Sequence, residues 1–408
     1  MRRIDLQEHT TSQVPLRLSY AERRRLGEIV PSLSFDPAEM EGTYLLRPGS
    51  DVGAVEIEDL SILIHPKIGI PQLLSLACYA MGIVKHQDLR MFDFRRDEAL
   101  PDVLARALSD AARQAFRKGL LHGYRTEEET LYGIKGRIRF DDQLRRRYAT
   151  AMPVEVRYDE FTNDILANQL VKAATLRLGR FQLRSEQARR GLGWVGGTLS
   201  GVSVAEFPPR RVPEVDFDRL NGHYRLVVEL ARLILRHSEF QSTRGEVRAS
   251  GFLVNMDRLF EEFVTRALRE ALGVSNRTFR KVCARDNVTL DENHHVGLLP
   301  DLSWWDGGVC RFVGDAKYKP VSYRRIPNAD LYQMLAYSTA FNLPGGMLIY
   351  AEGQADPIIH KVRHAGKRLE VAALDLSCPF EEIFTQVKDL ANRIVALRNE
   401  TRILRSAA

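Results

Sequence analysis

The spacing of apolar positions changes character several times along this 408-residue chain. Residues 1–70 read as short strands separated by turns. Ala54-Val55-Glu56-Ile57 and Ser61-Ile62-Leu63-Ile64-His65-Pro66 have strand character, and Arg47-Pro48-Gly49-Ser50 and Val52-Gly53 are turn signals. Pro71 then opens an apolar helix through Leu73, Leu74, Ala77, Cys78 and Met81. Proline is accepted there because the N–H it lacks has no partner in a first helical turn. Helical period returns over about 102–121, a strand-like stretch follows at 133–138, and another helix is expected from near Asn163. The segment 191–213 holds Gly196-Gly197 and Pro208-Pro209, which predict an exposed connection, and a long helix is expected over about 216–237. The polar stretch 241–250 marks the expected domain boundary. It separates an N-terminal region, 1–240, β-rich to residue 70 and then mainly helical, from a C-terminal domain, 245–408.

The pattern is most informative between residues 256 and 337. An amphipathic helix begins there, with Met256, Phe260, Phe263, Val264 and Ala267 on one face. At about 100° per residue, Glu261 falls at the edge of that face beside Leu268, and Glu262 points away from it. Glu261 is therefore the glutamate expected at a site, with a solvated helix flank as the alternative. Further on, Leu298-Leu299-Pro300-Asp301-Leu302 and Arg311-Phe312-Val313-Gly314-Asp315-Ala316-Lys317 flank Trp304-Trp305-Asp306-Gly307-Gly308, a hairpin signal. Asp301 and Asp315 are symmetric about residue 308, so a three-residue loop would set them opposite each other. A two-residue loop at Gly307-Gly308 would offset them by one, and a bulge could restore the pairing. Asp315 and Lys317 share a face because strand side chains alternate.

Two carboxylates and an ammonium at the end of one hairpin are what metal-dependent phosphodiester hydrolysis needs. The hard oxygens of Asp301 and Asp315, with a backbone carbonyl such as that of Ala316, can hold Mg²⁺, with Mn²⁺ as the alternative ion. Lys317 can orient a metal-bound water or stabilise the pentavalent phosphate. A helix after Pro327, with Asn328 as its expected N-cap, carries Gln333 and Tyr337 on one face, within reach of the carboxylates, Lys317 or a DNA phosphate. An Asp-x-Lys triplet alone is usually a strand-end charge pair. The ordered series is what singles this segment out.

Composition adds boundaries to that picture. The net charge of +6, from 59 basic and 53 acidic residues, permits a polyanionic partner without demanding one. Cys78, Cys283, Cys310 and Cys378 stand far apart, with no CxxC pair, and read as reduced thiols in place of a zinc site or disulfide framework. The polar first dozen residues lack the apolar core of a signal peptide, and the apolar run 73–84 is too short for a bilayer. A soluble, cytoplasmic protein with no membrane partner is expected.

The Pro300-Asp301, Asp315-Ala316-Lys317-Tyr318 and Leu331-Tyr332-Gln333-Met334-Leu335-Ala336-Tyr337 series resembles the PD-(D/E)XK nuclease superfamily, and within it the McrC family of McrBC modified-cytosine restriction systems. A second stretch agrees: Gly133-Ile134-Lys135-Gly136-Arg137-Ile138 followed by Asp164-Ile165-Leu166-Ala167-Asn168-Gln169-Leu170 is similar to the N-terminal region of that family. The resemblance implies an α/β PD-(D/E)XK restriction-endonuclease-like domain, a mixed sheet flanked by helices, over 245–408. A mixed α+β region over 1–240 would precede it and dock on a partner. It implies Asp301 and Asp315 as metal ligands, Lys317 as catalytic lysine, Gln333 and Tyr337 as supporting residues, and double-stranded DNA as substrate. The implied partner is a McrB-like AAA+ GTPase or ATPase ring, since this chain has no Gly-x-x-x-x-Gly-Lys-Ser/Thr loop. Lys319, Arg324 and Arg325 adjoin the Asp-Ala-Lys strand and are the expected DNA contacts, ahead of Arg145-Arg146-Arg147 and Arg210-Arg211, which read as solvated runs. Gly133 to Gly136 reads as a turn, and His294-His295 as part of a polar loop. Two rival readings are a non-catalytic adaptor of an AAA+ ring and a stand-alone repair or recombination nuclease.

Overall fold

The computed structural model of the protein describes residues 2–84, 99–148, 150, 152–241, 249–320, 326–353 and 357–406. The first stretch runs β1 (Arg2–Gln7), β2 (Leu16–Arg17), α1 (Tyr20–Ile29), β3 (Ser34–Pro37), β4 (Thr43–Arg47), β5 (Asp51–Ile57), β6 (Leu60–His65) and α2 (Ile70–Ala80). Next come α3 (Leu100–Ala115), β7 (Gly123–Leu131), β8 (Arg137–Ile138), α4 (Phe140–Arg147) and β9 (Val154–Thr162). A helical run follows: α5 (Leu166–Leu178), α6 (Glu186–Thr198) and α7 (Arg225–His237). The last part holds β10 (Ser238–Gln241), β11 (Ala249–Asn255), α8 (Met256–Leu272), β12 (Phe279–Arg280), β13 (Leu302–Asp306) and β14 (Val309–Pro320). It ends with α9 (Asn328–Ala340), β15 (Gly345–Glu352), β16 (Ile358–Lys361), β17 (Arg368–Ala373) and α10 (Phe380–Ser406). The architecture is mixed α/β. No helix among the described residues is long and apolar enough to cross a membrane.

Four of these elements depart from the sequence expectation. Within 1–70 the chain forms α1, whose start is fixed by a capping box: Ser19 Oγ accepts the Glu22 N–H at 3.2 Å and Glu22 Oε2 accepts the Ser19 N–H at 2.7 Å. The glycines of 191–213 were expected in a connection, yet Gly191, Gly196 and Gly197 lie inside α6. Ser185 caps that helix, and a Cβ on Gly191 would stand 2.6 Å from Ser109 Oγ, so the glycine admits close contact with α3. Packing overrides weak helix propensity there. The helix expected over 216–237 is shorter, with its α-helical part confined to α7. At the start of α9, Pro327 takes the N-cap position and Asn328 is already helical.

Strands β1, β6, β5, β11 and β10 form one five-stranded sheet, with β1 parallel to β6 and the other neighbours antiparallel. Strand β11 pairs with β5 over its whole length, so the change of sheet falls after residue 255 and not at 245. Two small sheets, β2-β4-β3 and β7-β9-β8, stand apart from it. The six-stranded order β12-β13-β14-β15-β17-β16 makes the sheet that carries the site, with β14, β15 and β17 parallel and the remaining pairs antiparallel. Alternation along β14 sorts its neighbours. Phe312, Ala316 and Tyr318 join Phe260 and Phe263 of α8 and Ile383 and Val387 of α10 in one core, while Val313 joins Met334 and Tyr337 of α9 in another. Asp315 and Lys317, in phase with Val313, therefore lie on the α9 face.

Candidate active site

A tight turn and one bulge bring the two aspartates together. Gly307 and Gly308 have φ of 56° and 82°, the left-handed backbone that a two-residue hairpin turn requires. Pairing starts at Asp306 with Val309 and Trp305 with Cys310, then shifts so that Trp304 meets Phe312, which leaves Arg311 as the extra residue on β14. Without that bulge Asp301 would lie opposite Gly314. With it, Leu302 faces Gly314, and Asp301 comes level with Asp315. The Ala316 N–H points to Asp301 Oδ2 at 3.3 Å, and the Asp301 N–H to Asp315 Oδ1 at 3.4 Å. Both aspartates are buried.

Three further elements surround this pair. Asn255 caps α8 by accepting the Arg258 N–H at 3.0 Å, and Gly273 ends it in a left-handed conformation. From its edge Glu261 reaches Lys281, 2.5 Å from Nζ to Oε2, while Glu262 turns outward to Arg258. Lys281 also lies 2.6 Å from Asp301 Oδ1. It follows the short strand β12, held by the Ser303 hydroxyl donating to Arg280 O at 2.6 Å and the Val282 N–H donating to Pro300 O at 3.0 Å. Helix α9 lies close on β15 because Gly346 has no side chain where Met334 sulfur sits. That placement buries Tyr337 within reach of the charges of Asp315, Asp301 and Glu261, while Gln333, one turn earlier on α9, is exposed.

The electrostatics follow from burial. Desolvation, and then the negative charge of Asp301, push the Asp315 carboxyl up to about 7, against the pull of Lys317. Lys317 Nζ is 2.5 Å from Asp315 Oδ2, yet that oxygen has no aligned hydrogen-bond donor. Burial opposes the Lys317 charge, but Asp315 and Asp301 outweigh it and its pKa is raised. Burial also raises Glu261, with Asp301 adding to the shift and Lys281 opposing it. Among the described residues no three His, Cys, Asp or Glu side chains form a ready-made metal cage.

A family model described as a McrBC 5-methylcytosine restriction system component matches residues 46–351, three-quarters of the chain and all of the site just described. The chain belongs to the McrBC family. A curated relative, the Type IV methyl-directed restriction enzyme EcoKMcrBC of Escherichia coli (strain K12), is 24% identical over 308 residues, covering 70% of this chain and 86% of that protein. A solved structure described as a half-complex from a tetradecameric assembly of Thermococcus gammatolerans McrB AAA+ hexamers with bound McrC matches with a TM-score of 0.63 and 18% identity. It covers 96% of this chain and 100% of that chain, a likeness of fold.

In this McrBC-family chain the structure brings Glu261, Asp301, Asp315, Lys317 and Tyr337 near one another, with Ala316 between the two strand charges and Gln333 exposed one turn before Tyr337 on α9. It adds Lys281, for which the sequence carries no motif. Lys319 takes a different place. Its ammonium is 2.7 Å from Asp330 Oδ2, which also accepts the Tyr350 hydroxyl at 2.5 Å, so it anchors the first turn of α9. Arg324 and Arg325 lie outside the described residues. On the opposite face of β14, Tyr318 donates to Oε1 of the fully buried Glu8 at 2.8 Å, which ties the end of β1 to the site strand.

Proposed function

We propose that this McrBC-family chain is the endonuclease subunit of an NTP-dependent restriction system, cutting DNA at a PD-(D/E)XK site. The observation that carries this reading is the hairpin register that sets Asp301 level with Asp315 while Lys317 shares the face of Asp315. Buried carboxylates with an oxygen lacking an aligned donor suit a hard divalent ion, Mg²⁺ or Mn²⁺. Asp301 and Asp315 would hold it, with the Ala316 carbonyl as a further oxygen. Bound there, such an ion supplies charge against the developing phosphorane and acidifies water.

The chain's own groups supply the rest. Lys317, fixed by Asp315, aligns the attacking water or neutralises charge gathering on the phosphate oxygens. Tyr337, buried beside the carboxylates, keeps their surroundings dry, and exposed Gln333 is left to meet the substrate backbone. Double-stranded DNA is the substrate, and its modification or sequence is read by the partner.

That partner is a McrB-like AAA+ ring docking on residues 1–240. The relatives are described as a methyl-directed restriction enzyme and as McrB AAA+ hexamers with bound McrC, and this sequence has no phosphate-binding loop of its own. The β7-β9-β8 sheet and α4 support a docking role, since Tyr132, Ile134, Phe140, Leu144 and Tyr148 are all exposed there.

The test is cleavage of modified DNA by the full chain with its AAA+ partner, nucleotide and Mg²⁺. Asp315→Ala and Lys317→Ala should each lower cleavage by about a hundredfold or more while complex assembly and nucleotide hydrolysis stay near wild type. A surface ion pair would contribute only about 0–1 kcal/mol, so wild-type cutting by both variants overturns the nuclease reading.

A further inference from the structure

Lys281 is held between two carboxylates of the site, 2.5 Å from Glu261 Oε2 and 2.6 Å from Asp301 Oδ1. Its backbone leaves it little choice. Arg280 is pinned to β13 through Ser303, Val282 to Pro300, and Phe279 O accepts the Arg269 guanidinium of α8 at 3.1 Å. The lysine therefore projects from the sheet edge toward the helix that carries Glu261. Some phosphodiesterases use two divalent ions about 3.5–4 Å apart, and the outer ion needs carboxylate oxygens on either side of it. Asp301 and Glu261 have that relation here, and the position between them is taken by an ammonium. Three carboxylates then face two lysines, leaving one negative charge, which a single divalent ion turns into a net positive charge suited to a phosphate.

We propose that Lys281 is a built-in replacement for a second metal ion, so that each chain binds one divalent cation, at Asp301 and Asp315. Lys281 is then a positioning residue: it fixes the Glu261 and Asp301 side chains and excludes a further ion. The inference rests on the metal-dependent reading above and deepens it.

Calorimetric titration of the metal-free full chain with Mn²⁺ tests it. Wild type should bind one ion per chain and Lys281→Met two. Lys281→Arg, which keeps the charge, should bind one, and adding Glu261→Gln to Lys281→Met should return that protein to one. A thermal melt of each variant identifies any that has not folded, and Lys281→Arg against wild type keeps the comparison open in that event. Two ions on wild type, or a single ion on folded Lys281→Met, would overturn the role of Lys281. Absence of Mn²⁺ binding by every one of these proteins would instead overturn the metal reading itself.

Discussion

Asparagine at position 315 should make the metal-free chain more stable while abolishing the DNA cleavage proposed for it. Folding holds the Asp315 carboxyl at about 7, against an ordinary 3.8, because the group is buried and faces Asp301. Between those two values the folded chain keeps a proton that the unfolded chain has lost. Stability from this group is therefore present below 3.8, falls as pH rises through the interval, and stays lost above about 7. Roughly three pH units at about 1.4 kcal/mol each give ~4 kcal/mol. That figure is an upper bound, since asparagine also forgoes the Lys317 ion pair. Unfolding entropy of roughly 2.1 cal/mol/K per residue amounts to about 0.9 kcal/mol/K for the whole chain, so the gain corresponds to ~4 °C in melting temperature if the chain melts as one unit.

The assay is a thermal melt of wild type and Asp315→Asn, both as full chains in EDTA, at pH 5 and pH 8. The advantage of asparagine should widen by about 2–3 kcal/mol, or ~3 °C, between the two conditions. Adding Mg²⁺ at pH 8 should raise the wild-type melting temperature more than that of the variant, because binding to the folded state alone stabilises it. A gap that stays constant or narrows from pH 5 to pH 8 would refute the claim that Asp315 is a desolvated carboxylate in tension with its fold.

Two other substitutions probe how the site is supported and how the chain docks. Tyr318→Phe removes a donor from fully buried Glu8, whose carboxyl burial already raises. It should cost about 1–3 kcal/mol, more at pH 8 than at pH 5 because the charged form loses the donor. Equal melting of the two proteins at both pH values would show that the link from β1 to β14 carries no energy. Tyr132→Ser with Ile134→Ser should weaken binding to the AAA+ partner by about tenfold or more, about 1.4 kcal/mol, and leave the melting temperature unchanged because neither side chain is buried. Unaltered affinity in a binding titration would move the docking surface elsewhere.

What the sequence discloses of this site depends on whether a side chain's position follows from one element or from the meeting of several. Asp315 and Lys317 share a face through strand alternation alone, and Glu261 sits at a helix edge by its angle from Phe260 and Val264. Gln333 and Tyr337 follow from helical spacing. Those placements are legible without coordinates. The level of Asp301 against Asp315 was only half legible. Gly307-Gly308 predicts a two-residue turn, but the bulge at Arg311 that corrects its one-residue offset leaves no signature in residue type. Helix α6 hid behind its glycines, since only contact with Ser109 on α3 reveals why Gly191 is there. Strand β11 followed a polar stretch that looked like a boundary, and its pairing with β5 is a contact across nearly two hundred residues. Lys281 is the fullest case. It belongs to no periodic run, and it meets Glu261 and Asp301 only because α8 packs under β14 while β12 pairs with β13. A residue placed by three elements at once has no local pattern to announce it, so a charge that completes a site can be invisible in a sequence whose other site residues are plain.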